Sequence, residues 1–259
     1  VSTSLGVRFG LAALVLLAIL AARRAPLLPA PGERLRVFLL GAMGYAFEAT
    51  LFFLALQKGT AAAVSLLFYT YPAMVMLGEI ALGWDKPQRR AFYALALSTA
   101  GSVLVVAAGA DVSISVAGIG LALASAAAVT VYLLASSRLV VRTDPLTTGA
   151  WMALGAACSF LTFGAATGRV HAPGGYWPTL AGNGLATASA FFLLFASMRL
   201  IGPTRTSVIM TLEAFSAIVL AAIFLGESIK PLQAVGGLAI LTATAILAVR
   251  RRSVAPVEP

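Results

Sequence analysis

Apolar residues run along this chain in long blocks separated by short polar stretches. The blocks predict nine helical spans, near residues 4–22, 36–56, 61–82, 89–108, 116–137, 146–167, 178–198, 205–225 and 232–249. A helix of roughly 20 apolar residues crosses a hydrocarbon layer about 30 Å thick, and each block is about that long. The connections are short, and no soluble domain fits between them. The expected fold class is an all-α polytopic membrane protein.

The spacing of the spans carries a second message. Rough midpoints near 13, 46, 71 and 98 recur near 156, 188, 215 and 240, an offset of about 142 to 144 each time. The span near 127 has no earlier partner, so the pattern predicts a further span before Val1. The nine present then correspond to spans two to ten of an expected ten. Five spans per copy is an odd number, so the second copy enters the membrane with the opposite orientation, as in many secondary transporters. The reading is an inverted-repeat helix bundle. Residues 1–109 form the first repeat, lacking its first helix, and residues 110–259 form the second.

Charge fixes the orientation. Taking alternate connections as one side gathers 14 of the 18 basic residues, from Arg23 and Arg24 through Lys86, Arg138, Arg142, Arg199 and Arg205 to Arg250, Arg251 and Arg252. The other side holds Lys58, Arg169 and Lys230, with Arg8 inside the first span. Lys and Arg accumulate in cytoplasmic loops, so the C-terminus is expected in the cytoplasm and the protein in the plasma (inner) membrane.

Composition agrees. The chain is 60 % hydrophobic and 10 % charged, where soluble domains carry about 25 % charged residues. Its net charge of +9 sits between apolar spans rather than on a soluble face, so it reads as a topology signal and not as a nucleic-acid surface. One Cys (Cys158) and one His (His171) exclude a disulfide framework and a multi-ligand Cys or His metal site. No phosphate loop or nucleophile elbow appears, so no enzyme signature is present and no cofactor is expected.

The candidate chemistry lies in rare membrane acids. Glu213 is the single formal charge between Arg205 and Glu227, and Glu48 lies near the middle of its span beside Phe47, with Tyr45 one turn before. An ionised carboxylate at the centre of a spanning helix costs about 2.5 to 3.5 kcal/mol on insertion scales, so both acids should face the bundle interior or a wet cavity. There each could take up and release a proton, or serve as a protonated carboxyl bonded to a neighbouring helix. Glu79, near the end of its span, reads as a solvated acid.

Tyr69, Tyr71 and Pro72 form a second candidate group, because Pro removes a backbone hydrogen bond that lipid cannot replace. A kink facing the cavity follows, whether it binds cargo or only bends. Trp84 and Trp177 read as interfacial anchors, while Trp151 sits deeper and stays open. Asn183, between Gly182 and Gly184, suits close helix packing. Arg8 has a long stem that can snorkel to the headgroups, or a guanidinium that can grip a carboxylate, and snorkelling is the preferred reading.

The segments AFEATLFFLALQKGTAAAVSLLFYTYPAMVMLGEIALGWDK (Ala46 to Lys86) and GPTRTSVIMTLEAFSAIVLAAIFLGESIKPLQAVGGLAIL (Gly202 to Leu241) resemble the EamA-type branch of the drug/metabolite transporter superfamily. The likeness extends over essentially the whole chain. It implies a ten-helix inverted-repeat bundle in which the spans at 61–82 and 205–225, with 36–56 and 178–198, surround a central cavity. It also implies a permease that exports a small polar metabolite such as an amino acid. Family members often carry Pro directly after the acid in the second segment. Ala214 stands there in this chain, so nothing in the sequence demands a helix break at Glu213.

The expected partners are the lipid bilayer and a small-molecule substrate, with no nucleic acid, and a homodimer is the assembly left open. The candidate pathway is Glu48, Glu213, Tyr45, Tyr69, Tyr71, Pro72, Trp151 and Asn183. The competing expectation is a non-transporting or partnered membrane protein of the same fold.

Overall fold

A computed structural model of the chain describes residues 2–84, 88–108, 113–168, 177–226 and 228–248. In order, the helices are α1 (Ser2–Ala22), α2 (Arg34–Leu39), a π-helical segment (Leu40–Tyr45), α3 (Ala46–Leu56), α4 (Ala61–Phe68) and α5 (Tyr71–Ala81). There follow α6 (Arg89–Ala107), α7 (Val116–Leu139), α8 (Pro145–Ala166), α9 (Trp177–Ile201), α10 (Pro203–Met210), α11 (Leu212–Leu225) and α12 (Pro231–Ala248).

Several of these elements join end to end. Arg34–Leu56, Ala61–Ala81 and Pro203–Phe224 each form one long rod, and among the described residues eight rods are long and apolar enough to cross a membrane. The apolar run Pro231–Leu247 is a shorter ninth. The nine expected spans are therefore all helical. Asp85, Lys86, Pro87, His171, Glu227 and Arg250 to Arg252 lie outside the described residues.

Local chemistry starts and stops the rods. The Thr60 and Ser115 hydroxyls accept from Ala63 N and Gly118 N at the starts of α4 and α7, and Asp144 Oδ1 accepts from Leu146 N at 2.9 Å at the start of α8. Each cap satisfies an N–H that the first turn leaves without an intrahelical partner. Between α9 and α10 the chain reverses through the single residue Gly202, whose φ of 82° suits glycine and disfavours other side chains.

The inverted plan shows in the packing. Helix α1 lies along α8, and α6 lies along α12, so two helices of the first repeat each pack on their own counterpart in the second. Backbones approach closely where glycines permit. A Cβ on Gly101 would stand 2.6 Å from the Gly236 carbonyl oxygen, and a Cβ on Gly236 would stand 2.6 Å from that of Gly101. In the same way α8 meets the π segment at Gly155 and Gly41, and the Ser159 hydroxyl donates to the Ala42 carbonyl there at 2.5 Å. Small residues serve this purpose in lipid, where apolar surroundings supply no drive for helices to associate.

Hydrogen bonds show which ends share a face. At the Arg-rich end, the Thr147 hydroxyl donates to the Pro26 carbonyl, Trp151 Nε1 donates to the Leu27 carbonyl at 2.8 Å, and Arg90 donates to the Ile246 carbonyl. At the opposite end, Thr60 N donates to the Ser113 carbonyl and Ser115 N to the Lys58 carbonyl. The first end is called the basic face below.

Candidate functional site

The two rods the resemblance singled out are both broken near mid-depth. Helix α4 stops at Phe68 and α5 starts at Tyr71, while α10 stops at Met210 and α11 starts at Leu212. The pivot is Thr70 in one half and Thr211 in the other. Thr70 N and Oγ1 donate to the Leu67 carbonyl at 3.2 and 2.7 Å, and Ala73 N donates to the Thr70 carbonyl at 3.1 Å. Thr211 N and Oγ1 donate to the Val208 carbonyl at 3.2 and 2.7 Å, and Ala214 N donates to the Thr211 carbonyl at 3.1 Å.

The second break therefore forms without Pro after the acid, although Ala214 made a break there the weaker expectation. A Thr hydroxyl that bonds the carbonyl three residues back offers the backbone an alternative to the regular ladder. The motifs Tyr69-Thr70-Tyr71-Pro72 and Met210-Thr211-Leu212-Glu213 align across the repeat, so the paired Thr was the available signal.

Between α9 and the α10–α11 rod lies a cavity of about 590 Å³. Thr187, Phe191, Leu194 and Ser197 of α9 form one wall, and Thr206, Ile209, Met210 and Glu213 form the other. Arg8 of α1 and Tyr45 at the end of the π segment close it from the first repeat. At 1.5 Å per residue, Glu213 and Tyr45 lie roughly 15 Å from the basic face, half-way across a bilayer core of about 30 Å.

An aromatic group backs this wall. The Phe9 ring meets Tyr45 edge-on at 5.1 Å and Phe191 at 5.9 Å, and stacks on Phe160 at 5.9 Å. Such pairs hold rings in defined orientations, so Tyr45 is fixed rather than loose. The Tyr45 hydroxyl lies within electrostatic reach of Arg8, Glu48 and Glu213.

The structure separates the candidate residues into groups. Glu213 and Tyr45 line the cavity. Glu48 is buried behind it, its Oε1 accepting from the Ser125 hydroxyl of α7 at 3.1 Å. Tyr71 and Pro72 are buried at the first break, where the Tyr71 hydroxyl donates to the Ser207 carbonyl of α10 at 3.2 Å and ties the two broken rods together. Tyr69 is partly buried, packed against Phe68. Trp151 tethers the loop at Leu27 near the basic face, and Asn183 is exposed on α9, its carbonyl accepting from the Thr187 hydroxyl.

Two expectations change. Arg8 does not snorkel: α1 packs against α8 and α9, and its guanidinium borders the cavity beside Tyr45, with Nε buried and without a hydrogen-bond partner. Glu79 is not solvated: it is 8 % exposed, and its Oε2 accepts from Thr204 N at 3.1 Å and Thr204 Oγ1 at 2.5 Å. The first turn of α10 presents free N–H groups, which favour an anionic partner over headgroup water.

A second carboxylate joins the repeats at the basic face. Glu33 Oε1 accepts from Val141 N at 3.1 Å and Arg142 N at 2.9 Å, and Oε2 accepts from Thr143 N at 2.9 Å and Thr143 Oγ1 at 2.6 Å. Burial pushes this carboxyl up, but the Thr143 hydroxyl and the three backbone N–H groups outweigh it and hold it below its ordinary value of 4.5. A group with a depressed folded-state value contributes stability above its ordinary range and loses it as pH falls through the lowered value. Glu33→Gln is therefore expected to lower the thermal midpoint of the purified protein at pH 7, by about 1–3 kcal/mol of stability. The gap from the parent should close on acidification below 4.5, as melting curves across pH will show.

Fold and cavity together define a polytopic membrane bundle of two inverted repeats with a mid-depth hollow between rods. The EamA-like transporter family model matches residues 1–107 and again residues 116–249. The chain belongs to the EamA-like transporter family. No curated protein sequence matches it. A crystal structure 19 % identical in sequence superposes with a TM-score of 0.81, covering 95 % of this chain and 87 % of the other, and so shares the fold.

Proposed function

We propose that the chain is a secondary carrier that exports a small polar metabolite, such as an amino acid, by rocking one repeat against the other around the mid-depth cavity. Glu48 and Glu213 are the proton-carrying groups of this reading, and the basic face is cytoplasmic. The observation that carries it is a hollow half-way across the membrane, bordered by an acid and by one of two rods that are broken in the same way. Lipid tolerates irregular backbone only where protein or a watery cavity covers it, and the cavity beside Met210 and Glu213 adjoins the second break.

The test is flux. The 259-residue chain, reconstituted in liposomes and offered a panel of amino acids, sugars, nucleosides and amines, is expected to give saturable exchange of at least one class. Uptake that rises linearly with concentration for every member, matching empty liposomes, would contradict the reading.

A further inference from the structure

A smaller pocket, of about 160 Å³, lies at the basic face between the last turns of α7, the first turn of α8 and the last turns of α9. It shares no lining residue with the mid-depth cavity. Ser136 and Thr148 are buried in its lining, Val140, Phe195 and Met198 supply an apolar side, and Arg199 is the one charged residue among those that line it.

Ser136 is the unusual member. A helical Ser ordinarily donates to the carbonyl three or four residues back, and its neighbour Ser137 does so, to Leu134 at 2.8 Å. Ser136 is 3 % exposed, and its Oγ is buried without a hydrogen-bond partner. A buried hydroxyl is costly to leave unmatched, and its single side-chain torsion is enough to turn it toward a guest.

Arg199 sets the sign of that guest. Two carboxylates adjoin the lining, and both are already matched. Glu33 accepts from the N–H groups of Val141, Arg142 and Thr143 and from the Thr143 hydroxyl, while Asp144 Oδ1 accepts from Leu146 N. A guanidinium bonds two oxygens of a phosphate at once, and a hydroxyl can donate to a third. The pocket stands at the ends of three spanning helices, the depth of lipid headgroups, where basic pockets between helices receive anionic lipids. Leu139, Val141 and Leu200 are exposed apolar residues beside it, on which acyl chains can lie.

We propose that this pocket binds a phosphate group, delivered by an anionic phospholipid whose headgroup meets Arg199 and Ser136 and whose chains cover Leu139, Val141 and Leu200. The volume falls below the range of about 300–1,000 Å³ typical of pockets that enclose a whole small molecule, so a headgroup fits and the rest of the lipid stays outside. The site does not depend on the carrier reading.

The probes are short-chain phosphatidylglycerol, phosphatidylcholine with the same chains, and glycerol 3-phosphate. Each is titrated into the purified 259-residue chain in neutral detergent, with native mass spectrometry and thermal shift as readouts. Phosphatidylglycerol is expected to bind at least about tenfold more tightly than either other probe, a difference that needs no variant. Arg199→Gln should lower its affinity at least about tenfold, and Arg23→Gln, which removes an exposed charge elsewhere on the basic face, should change it less than about twofold. Ser136→Ala should lower it at least about fivefold, yet melt no lower than the parent without lipid, because the variant has no buried hydroxyl to leave unmatched.

Equal binding of the two lipids, an Arg199→Gln loss no larger than that of Arg23→Gln, or unchanged affinity in Ser136→Ala would overturn the site. Glycerol 3-phosphate binding as tightly as phosphatidylglycerol would overturn the lipid and assign the phosphate to a soluble ligand. Binding of none of the three would overturn both.

Discussion

Gly101→Val is expected to leave little monodisperse protein, and Gly236→Val the same. Each glycine faces the other's carbonyl oxygen, and a Cβ on either would meet it at 2.6 Å, well inside van der Waals contact. The obstructing atom is backbone, so no side-chain rotation relieves the clash and α6 and α12 must separate. Overpacking a fitted interior costs about 1–3 kcal/mol, and a backbone clash belongs at or above the top of that range. Gly10→Ala is the matched control, since a Cβ there meets nothing within 4 Å. It should leave yield and thermal midpoint close to the parent. Size-exclusion profiles and melting curves of the three variants check this. Equal behaviour of Gly101→Val and Gly10→Ala would show that α6 and α12 do not touch as described.

Glu48→Gln and Glu213→Gln together are expected to abolish the pH dependence of transport and to lower flux at least about tenfold, equivalent to about 1.4 kcal/mol. The amide keeps the size and hydrogen-bonding reach of each side chain but cannot exchange a proton. Glu213 faces the cavity, and Glu48 sits behind Tyr45 with the Ser125 hydroxyl on its carboxylate, so the single variants should differ. Glu213→Gln should weaken cargo binding as well as coupling, whereas Glu48→Gln should spare binding. Flux measured under imposed pH gradients separates the two. Unchanged flux and unchanged pH dependence in the double variant would take both acids out of the mechanism while leaving carriage itself intact.

The spans were legible because apolar runs of about twenty residues admit few alternatives to a membrane helix. The repeat was legible because its halves keep the same spacing. The breaks were harder. Pro72 announced the first, but the second depends on how the Thr211 hydroxyl is used, and a Thr inside an apolar run usually bonds its own helix without interrupting it. Thr70 and Thr211 stand at matching places in the two halves, and only their use of the hydroxyl, which sequence does not encode locally, makes them pivots.

Arg8 and Glu79 depart from the sequence expectation for a common reason. A charged residue near a span end has two outlets, water or another helix, and the choice depends on which neighbour packs there. That neighbour is distant in sequence: α1 packs on α8 and α9 so that Arg8 borders the cavity, and the first turn of α10 receives Glu79. Glu33 gave no sequence signal, because its partners are three consecutive N–H groups of a loop more than a hundred residues away.

Water at mid-depth between the repeats is the claim on which the rest stands. Cys158 is the only cysteine, so a Cys158→Ser background can carry single reporters at Thr187 and Ser197 in the cavity and at Leu238, which is 62 % exposed near the middle of α12. In liposomes treated with a membrane-impermeant thiol reagent, Thr187→Cys and Ser197→Cys are expected to react while Leu238→Cys stays unmodified. Cavity reporters as inert as the one at Leu238 would mean that no water enters between the halves, and the carrier account would fail.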